Sequence, residues 1–588
     1  MKDLKLIWKI LNSNQKTQFS LLLLMLLFGM VLEVFGIGML FPILTSILNP
    51  EKLKSIIVVN EIFRFLSIET NKQIIIYALS LLIIIYTLKS VYLLYLTYFQ
   101  NLYISNLSKD FSTQLYGHYL YKKYEFHIKQ NSAELIKNFQ IEINGFFNYL
   151  NSKIQLATES ILAFSVAITL IIIEPLATSI VMFVFSITSF IFHMIAKRRS
   201  TLWGKIRASN DTEIAKMITE GLSGIKEILI LGRQHFFINN FYNLNKIKAD
   251  LNVKAMTLRQ VPRFYLELLT IIGLVGFILI LLKQDNNIDN IMVTLGVFVG
   301  ATFRMLPSIN RILSSLQSLK YYKSSLDIIA GQLNEKKETS IAQKDLREKI
   351  VFKKNLELRE ISFSYEKNLP ILNKINLKIE KGDRIGIIGS SGAGKTTLIN
   401  IIVGLLSQNS GNLILDGTKL SKKSINSWKN KLGYVSQDLY LTDDTIENNI
   451  AFGLDSFEII DQKIDKAIEL AQLKSFIEEL PKGKNTIVGE RGVQISGGQR
   501  QRIGIARALY HNAEFLLLDE ATSALDIETE SEFMKAVLNL KGNKTILIIT
   551  HRLSTIENCD QIYKLEQGKL HLEKNNKYPL TKNQGINK

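Results

Sequence analysis

Six stretches of this chain are apolar enough and long enough to cross a lipid bilayer: residues 19–44, 74–99, 155–173, 176–196, 264–282 and 291–306. A spanning segment needs roughly 20 mainly apolar residues. Inside hydrocarbon every backbone N–H and C=O must be satisfied by the chain itself, so these stretches are expected to be helices. Glu174-Pro175 separates the third and fourth, and Lys283–Asn290 separates the fifth and sixth. A proline cannot continue a helix that precedes it, which suits a boundary at Pro175. The chain has 588 residues, so the apolar half leaves room for at least one further domain.

Lysine and arginine orient the spans. Residues 197–263 hold thirteen of them, the turn 174–175 none, and 283–290 only Lys283. Cytoplasmic loops carry the excess of positive charge. This places 197–263 in the cytoplasm, together with 100–154, the N-terminus and everything after 306. Most of the net charge of +18 is accounted for by that bias; an anionic partner is the other reading. Lys2, Lys5, Lys9 and Lys16 precede the first span, but no small-residue cleavage site follows, so a cleaved secretory signal is not expected. The two long cytoplasmic segments are poor in Gly and Pro and carry apolar residues at helical spacing. Each reads as a pair of helices extending the spans, the second with its tip at Glu220–Glu227. Residues 50–72 alternate apolar and charged side chains on the outside. They form either an amphipathic helix on the outer leaflet or a loop packing its own side chains. The lone Cys559 excludes a disulfide within the chain and a cysteine-built metal site, and reads as a buried apolar residue.

The second half carries a different chemistry. Gly389-Ser390-Ser391-Gly392-Ala393-Gly394-Lys395-Thr396, followed by Thr397, is a complete phosphate-binding loop. Its glycines let backbone N–H groups converge on phosphate oxygens, Lys395 reaches the β- and γ-phosphates of ATP, and the Thr396 hydroxyl ligates Mg²⁺. Arg384–Ile388 reads as the buried strand feeding the loop, and Thr397–Leu405 as the helix whose positive end faces it. Downstream, Phe515–Leu518 is an apolar strand ending in Asp519 and Glu520. Asp519 is placed to hold Mg²⁺ through water, and Glu520 to polarise an attacking water. His551 ends the strand Thr545–Thr550 and is expected at the γ-phosphate.

With these residues in order, the chain resembles the ATP-binding cassette (ABC) transporters. Tyr365 matches the aromatic residue that stacks on adenine, and Gln437 the glutamine that touches Mg²⁺. Ser496-Gly497-Gly498-Gln499 resembles the signature, preceded by Ile495 where Leu is usual. Thr486–Gly492 matches the segment by which exporters contact cytoplasmic loops, Ser523–Asp526 the loop that contains Asp526, and His551 the switch histidine. The resemblance implies an exporter-type membrane α-helical domain of six transmembrane helices fused to an α/β P-loop nucleotide-binding domain. Its expected parts are residues 1–330, a linker 331–355, the ATPase 356–575 and a polar tail 576–588. In this family ATP lies between the P-loop of one cassette and the signature of another, so one cassette per chain implies a homodimer. The expected place is a bacterial cytoplasmic (inner) membrane, with the N-terminus and the ATPase in the cytoplasm. Six spans exclude the soluble DNA-repair ATPases that share the signature, and no nucleic-acid partner is expected.

The membrane half looks most like the bacterial lipid-linked oligosaccharide flippases of protein N-glycosylation. Val261–Glu267, Phe303–Arg311 and Tyr321–Ile329 carry that resemblance. It implies a polyprenyl-pyrophosphate-linked oligosaccharide as substrate. Arg263, Arg304 and Arg311 lie at or near the ends of spans five and six, where guanidinium groups avoid lipid and suit phosphate oxygens. Lys89 stands where that family usually has another arginine. Against this stand two bland readings: Arg304 and Arg311 snorkel to the cytoplasmic surface, and Lys89 has no part in binding. Glu33 and Glu267 lie within spans and either pair with these cations or face water. The alternative function is export of another amphiphile: a lipid A precursor, a peptide or a drug. A regulator or ATP-gated channel of the same architecture is a further reading.

Overall fold

The computed structural model describes residues 2–39, 43, 70–173, 175–283, 288–339, 350–366, 369–421, 423–521, 530–531, 534 and 544–576. The chain divides into two compact units, residues 1–122 with 126–342, and residues 123–125 with 343–588.

The first unit is helical. After α1 (Lys2–Ile10) come α2 (Ser13–Gly38), α3 (Asn71–Leu120), α4 (Ser132–Lys137), a π turn (Asn138–Glu142), α5 (Ile143–Ile173), α6 (Pro175–Ser223), α7 (Gln234–Lys283), α8 (Ile288–Tyr321) and α9 (Lys323–Thr339). Each expected span falls on one of the six long helices α2, α3, α5, α6, α7 and α8. The end of the first span and residues 50–69 of the outside segment lie outside the described residues. Helix α3 has 50 residues; at 1.5 Å per residue it is about 75 Å long, over twice the hydrocarbon thickness. The same holds for α6 and α7, so a single helix serves as both span and arm. Pro175 opens α6 at the first helical position, where its missing N–H has no cost. Pro262 and Pro307 sit inside α7 and α8.

The outer surface is unlike that of a water-soluble bundle. Leu94, Ile83, Phe183 and Ile272 are well exposed on the outer faces of their helices, while Leu22, Phe111, Phe146 and Leu266 are fully buried. An outer surface this apolar fits lipid, not water. Among the described residues, three helices, over Ser13–Gly36, Ile75–Leu120 and Ser132–Ile172, are long and apolar enough to cross a bilayer. Spans four to six fall on α6, α7 and α8, whose apolar stretches include side chains outside the described set.

The tip of the second arm extends beyond Glu220–Glu227. Helix α6 ends at Ser223 inside that stretch, a six-residue helix Ile225–Ile230 follows Gly224, and a turn at 231–233 leads into α7. Gly232 takes φ +62 there, while Arg233 N–H donates to Ile228 O and Gly232 N–H to Leu229 O. That is a Schellman cap on the six-residue helix, built on a left-handed glycine. In addition, residues 331–339, read as linker, extend α9.

The second unit holds two sheets. A four-stranded antiparallel sheet has the order β2-β1-β4-β5, with β1 Asn355–Ser364, β2 Pro370–Glu380, β4 Ser410–Leu415 and β5 Thr418–Lys419. A six-stranded sheet has the order β10-β9-β3-β8-β7-β6: β3 Arg384–Ile388, β6 Leu432–Val435, β7 Phe515–Asp519, β8 Thr545–Ile549, β9 Gln561–Glu566 and β10 Lys569–Asn575. Strands β6, β7, β8, β3 and β9 run parallel. Alternate residues of β7 feed two cores: Phe515 and Leu517 join Trp428 and Leu398 on one face, Leu516 and Leu518 join Ile464 and Ile503 on the other. A strand buried on both faces reads as a continuous apolar run, which is why Phe515–Leu518 stood out.

Candidate nucleotide site and the charges of the membrane half

The phosphate loop, Gln437, Glu520 and His551 follow β3, β6, β7 and β8, at the carboxyl ends of parallel strands. In open α/β sheets ligands bind at those ends. Register draws them together, with Asp519 opposite Ile549 and Ile387 opposite Ile549 in turn.

The loop turns on two glycines in the left-handed region, Gly392 (φ +81) and Gly394 (φ +103), a conformation that side-chained residues avoid. Gly389 is tight for another reason: a Cβ there would stand 2.4 Å from the Leu565 carbonyl oxygen. Helix α10 (Lys395–Ile402) then begins at the loop. Lys395 Nζ folds back to donate to Gly389 O (2.8 Å) and Ser390 O (3.0 Å). Ser390, Ser391 and Thr396 are exposed, Ala393 is half-buried, and Thr397 is buried.

Across from the loop, Gln437 Nε2 donates to Glu520 Oε2 at 3.0 Å, and His551 Nδ1 lies 3.6 Å from Glu520 Oε1. Glu520 has φ +49, and its N–H donates to Ile549 O at 2.8 Å. Strain in a non-glycine residue at this place marks a position held for its side chain. Asp519 is buried. Burial first, then the neighbouring Glu520, pushes its carboxyl up to about 6. Two adjacent acids in a dry site call for a cation.

The other expected residues are more scattered. Tyr365 is partly exposed and stands edge-on to Phe363, ring centroids 5.0 Å apart. Ser496 caps α11 (Gly497–Tyr510). Its Oγ accepts from Gln499 N–H at 3.2 Å, and Gln499 Oε1 accepts from Ser496 N–H at 2.9 Å. The signature is thus also a capping box, S-x-x-Q. Asp526, with Ser523–Leu525, lies outside the described residues. Cys559 is buried, and burial pushes its thiol up to about 12.

Two residues were missed. Tyr434 on β6 donates its hydroxyl to Asp519 Oδ2 at 3.4 Å. Arg507 on α11 donates to Asn449 O (2.8 Å) and Tyr440 O (3.0 Å), and burial pulls its guanidinium down to about 10. It ties the signature helix to the segment after Gln437. No motif announces either.

In the membrane half, each expected cation whose side chain is described has an acid beside it. Lys89 Nζ lies 2.9 Å from Glu33 Oε2, both buried, and 4.5 Å from the centre of the Tyr86 ring. Gly36 makes room for it: a Cβ there would be 3.4 Å from Nζ. Arg311 Nη1 donates to the buried Glu159 Oε1 at 2.7 Å, and Arg263 Nε to Glu267 Oε1 at 2.9 Å along one helix face. The side chain of Arg304 lies outside the described set. Among the described residues, then, Lys89, Arg263 and Arg311 each stand beside a carboxylate. The pairing open for Glu33 and Glu267 is the one observed.

A phosphate loop, a strand-end acid pair and a switch histidine on this sheet, fused to six long apolar helices, define an ATP-driven membrane transporter. Comparison with known proteins is consistent with both halves: the ABC transporter model matches residues 372–523, and the ABC transporter transmembrane region model matches 19–282. An ATP-dependent lipid A-core flippase of Saccharophagus degradans is 30% identical over 508 residues, 83% of each chain. The same-named protein of Coxiella burnetii is 30% identical over 479 residues, 81% of this chain and 80% of its own. That of Desulfotalea psychrophila is 36% identical over 368 residues, 61% and 62%. A solved structure of a bacterial Atm1-family ABC exporter with ATP bound matches in fold, with TM-score 0.73, 22% identity and 95% of each chain covered.

The chain belongs to the ABC transporters, as an exporter-type half-transporter whose membrane domain is fused to its nucleotide-binding domain. It is a membrane-embedded ABC transporter that couples ATP hydrolysis to translocation. The relatives named here are lipid A-core flippases, not the flippases of protein N-glycosylation that the membrane half had resembled.

Proposed function

We propose that this protein flips a phosphorylated glycolipid of the lipid A-core kind across a bacterial inner membrane, working as a homodimer. The observation that carries this reading is the alignment of lipid A-core flippases over about four fifths of the chain, through membrane and ATPase halves alike. A polyprenyl-pyrophosphate-linked oligosaccharide is the second reading. It is favoured by Val261–Glu267, Phe303–Arg311 and Tyr321–Ile329 and by the cations they contain. Both substrates join anionic phosphate and sugar to a lipid tail, and guanidinium groups suit phosphate in either.

In this reading Tyr365 stacks on adenine and Gly389–Thr397 cradle the phosphates. Ser496, Gly497, Gly498 and Gln499, with Asp526, complete the site from the second copy. Lys395 exchanges its two loop carbonyls for phosphate oxygens. Thr396, Gln437 and Asp519 would hold Mg²⁺; the raised proton affinity of Asp519 beside Glu520 fits such a place. When bound, the cation would neutralise charge on the phosphates. Glu520 is the general base for water, and Gln437 and His551, both already against it, orient the carboxylate. Lys89, Arg263, Arg304 and Arg311 are proposed as headgroup contacts. Lys89 and Arg311 act from within ion pairs, so binding there means exchange of a carboxylate for a phosphate.

The test is ATPase activity of protein in lipid nanodiscs, titrated in parallel with lipid A-core glycolipid and with a polyprenyl-pyrophosphate oligosaccharide. Saturable stimulation by the first alone supports the proposal. Stimulation by the second alone replaces it with the second reading, and stimulation by neither contradicts both.

A further inference from the structure

In the helical unit, charged side chains from several helices are buried together around Glu142, the last residue of the π turn. Glu142 Oε2 accepts from Ser325 Oγ of α9 at 2.6 Å and from Arg207 Nη2 of α6 at 3.4 Å. Its Oε1 lies 3.4 Å from Lys137 Nζ of α4, and Lys137 also donates to Thr212 Oγ1 of α6 at 3.0 Å. Arg207 Nη2 donates to Ser325 Oγ at 2.8 Å, and its Nη1 faces Asp211 at 3.5 Å. Asp211 in turn faces Lys248 of α7 at 3.1 Å. The Arg207 guanidinium also lies 5.5 and 5.4 Å from the rings of Tyr321 and Tyr322, where α8 gives way to α9.

Backbones meet at the same level. A Cβ on Gly145 of α5 would stand 2.2 Å from Ser325 Oγ, and one on Gly204 of α6 would stand 2.2 Å from the Tyr321 carbonyl oxygen. Helices α5 and α6 therefore both press on the α8–α9 junction, with no spare volume for sliding.

Such a cluster is a poor device for stability, since desolvating ions offsets most of their attraction. It is a good device for fixing register. A slip of one residue along a helix is 1.5 Å, enough to break these bonds and leave charges buried without partners, which is strongly unfavourable. A π turn in the middle of such a cluster is a further mark of a site kept for function. From α9 the chain runs on through 340–354 to β1 of the ATPase.

We propose that Glu142, Arg207 and Ser325 form a rigid node that makes α5, α6 and the α8–α9 junction move as one body, and so passes nucleotide-driven motion into the membrane helices. They are positioning residues, and the proposal does not depend on which lipid is carried.

The experiment is hydrogen–deuterium exchange of the full-length protein in nanodiscs, with and without ATP and vanadate, for the parent, Glu142→Gln, Ser325→Ala and Arg207→Lys. In the parent, trapping changes exchange in peptides of both units. In Glu142→Gln the cassette peptides keep their protection, while the change in α5 and α6 falls about tenfold, within the coupling loss expected when a network residue is removed. Ser325→Ala gives a smaller loss, and Arg207→Lys, which keeps the charge, retains most of the coupling. Two results overturn the node: α5 and α6 responding in Glu142→Gln as in the parent, or cassette protection and thermal stability falling together with the helical response, which marks a merely structural cluster.

Discussion

The two units treat charge in opposite ways. At the strand ends of the cassette, acids are crowded together: Asp519 and Glu520 are adjacent, one buried, and Lys395 is the cation whose charge acts on Asp519 among the described residues. In the helical unit Lys89, Arg311 and Arg207 each meet a carboxylate within 3.5 Å. The cassette keeps unbalanced charge because a ligand supplies the balance. The helical unit balances its own, since lipid and dry helix contacts offer nothing else. Unbalanced charge in a cleft is therefore the better pointer to a reaction, and balanced charge the better pointer to register and motion.

The sharpest way to break that contrast is Glu520→Gln. Loss of the general base lowers hydrolysis by about 10²–10⁴-fold, while ATP affinity, measured by nucleotide titration, stays within a few-fold of the parent. Hydrolysis near the parent rate would move the base elsewhere.

Next in size is the intramembrane pair. Glu33→Leu alone strips Lys89 of its partner and costs about 3–5 kcal/mol, as for one half of a buried pair. It shows as a lowered melting temperature in detergent. The double variant Glu33→Leu with Lys89→Leu recovers most of the loss if the pair is structural. A double variant as unstable as the single one would mean that Lys89 has other work in the fold.

The acid pair makes a pH prediction. The folded carboxyl of Asp519 titrates near 6, above its ordinary value of 3.8, so the nucleotide-free fold favours the protonated form. Its contribution to stability is full below about 4 and lost as pH rises through about 6. Asp519→Asn removes that slope from thermal melts taken across pH 4–7. In the opposite sense, Mg²⁺-dependent nucleotide affinity weakens as pH falls below about 6, because the protonated carboxyl loses the negative charge that would help hold the cation.

The smallest effect belongs to the signature. Ser496→Ala removes the cap of α11 and costs about 1 kcal/mol, read as a lower melting temperature of nucleotide-free protein. Ser496→Asp keeps the cap and restores the temperature. If it does so without restoring hydrolysis, the hydroxyl has a ligand role beyond capping.

Much of the cassette was legible because its chemistry is written in contiguous runs. Gly389–Thr396 and Phe515–Glu520 each compress strand, turn and functional group into one segment, and the parallel sheet aligns the segments. Arg507 and Tyr434 were not legible, since each acts on residues far along the chain and neither belongs to a run. In the membrane half, hydropathy located the helices but not their partners. Lys89 to Glu33 and Arg311 to Glu159 are contacts between helices, and a single sequence does not state which faces meet. The arm's tip was legible where α6 ends, within Glu220–Glu227, but not its extent to Gly232: glycines at 221, 224 and 232 look alike in sequence, and of the three only Gly232 adopts a positive φ.

The most direct measurement is ATP-driven translocation of lipid A-core glycolipid in proteoliposomes, with Glu520→Gln as the blank and the polyprenyl-pyrophosphate oligosaccharide run alongside. The account predicts that lipid A-core glycolipid crosses with wild-type protein and ATP and not with the blank. Wild-type protein that hydrolyses ATP in the same vesicles and moves neither lipid above the blank would contradict it.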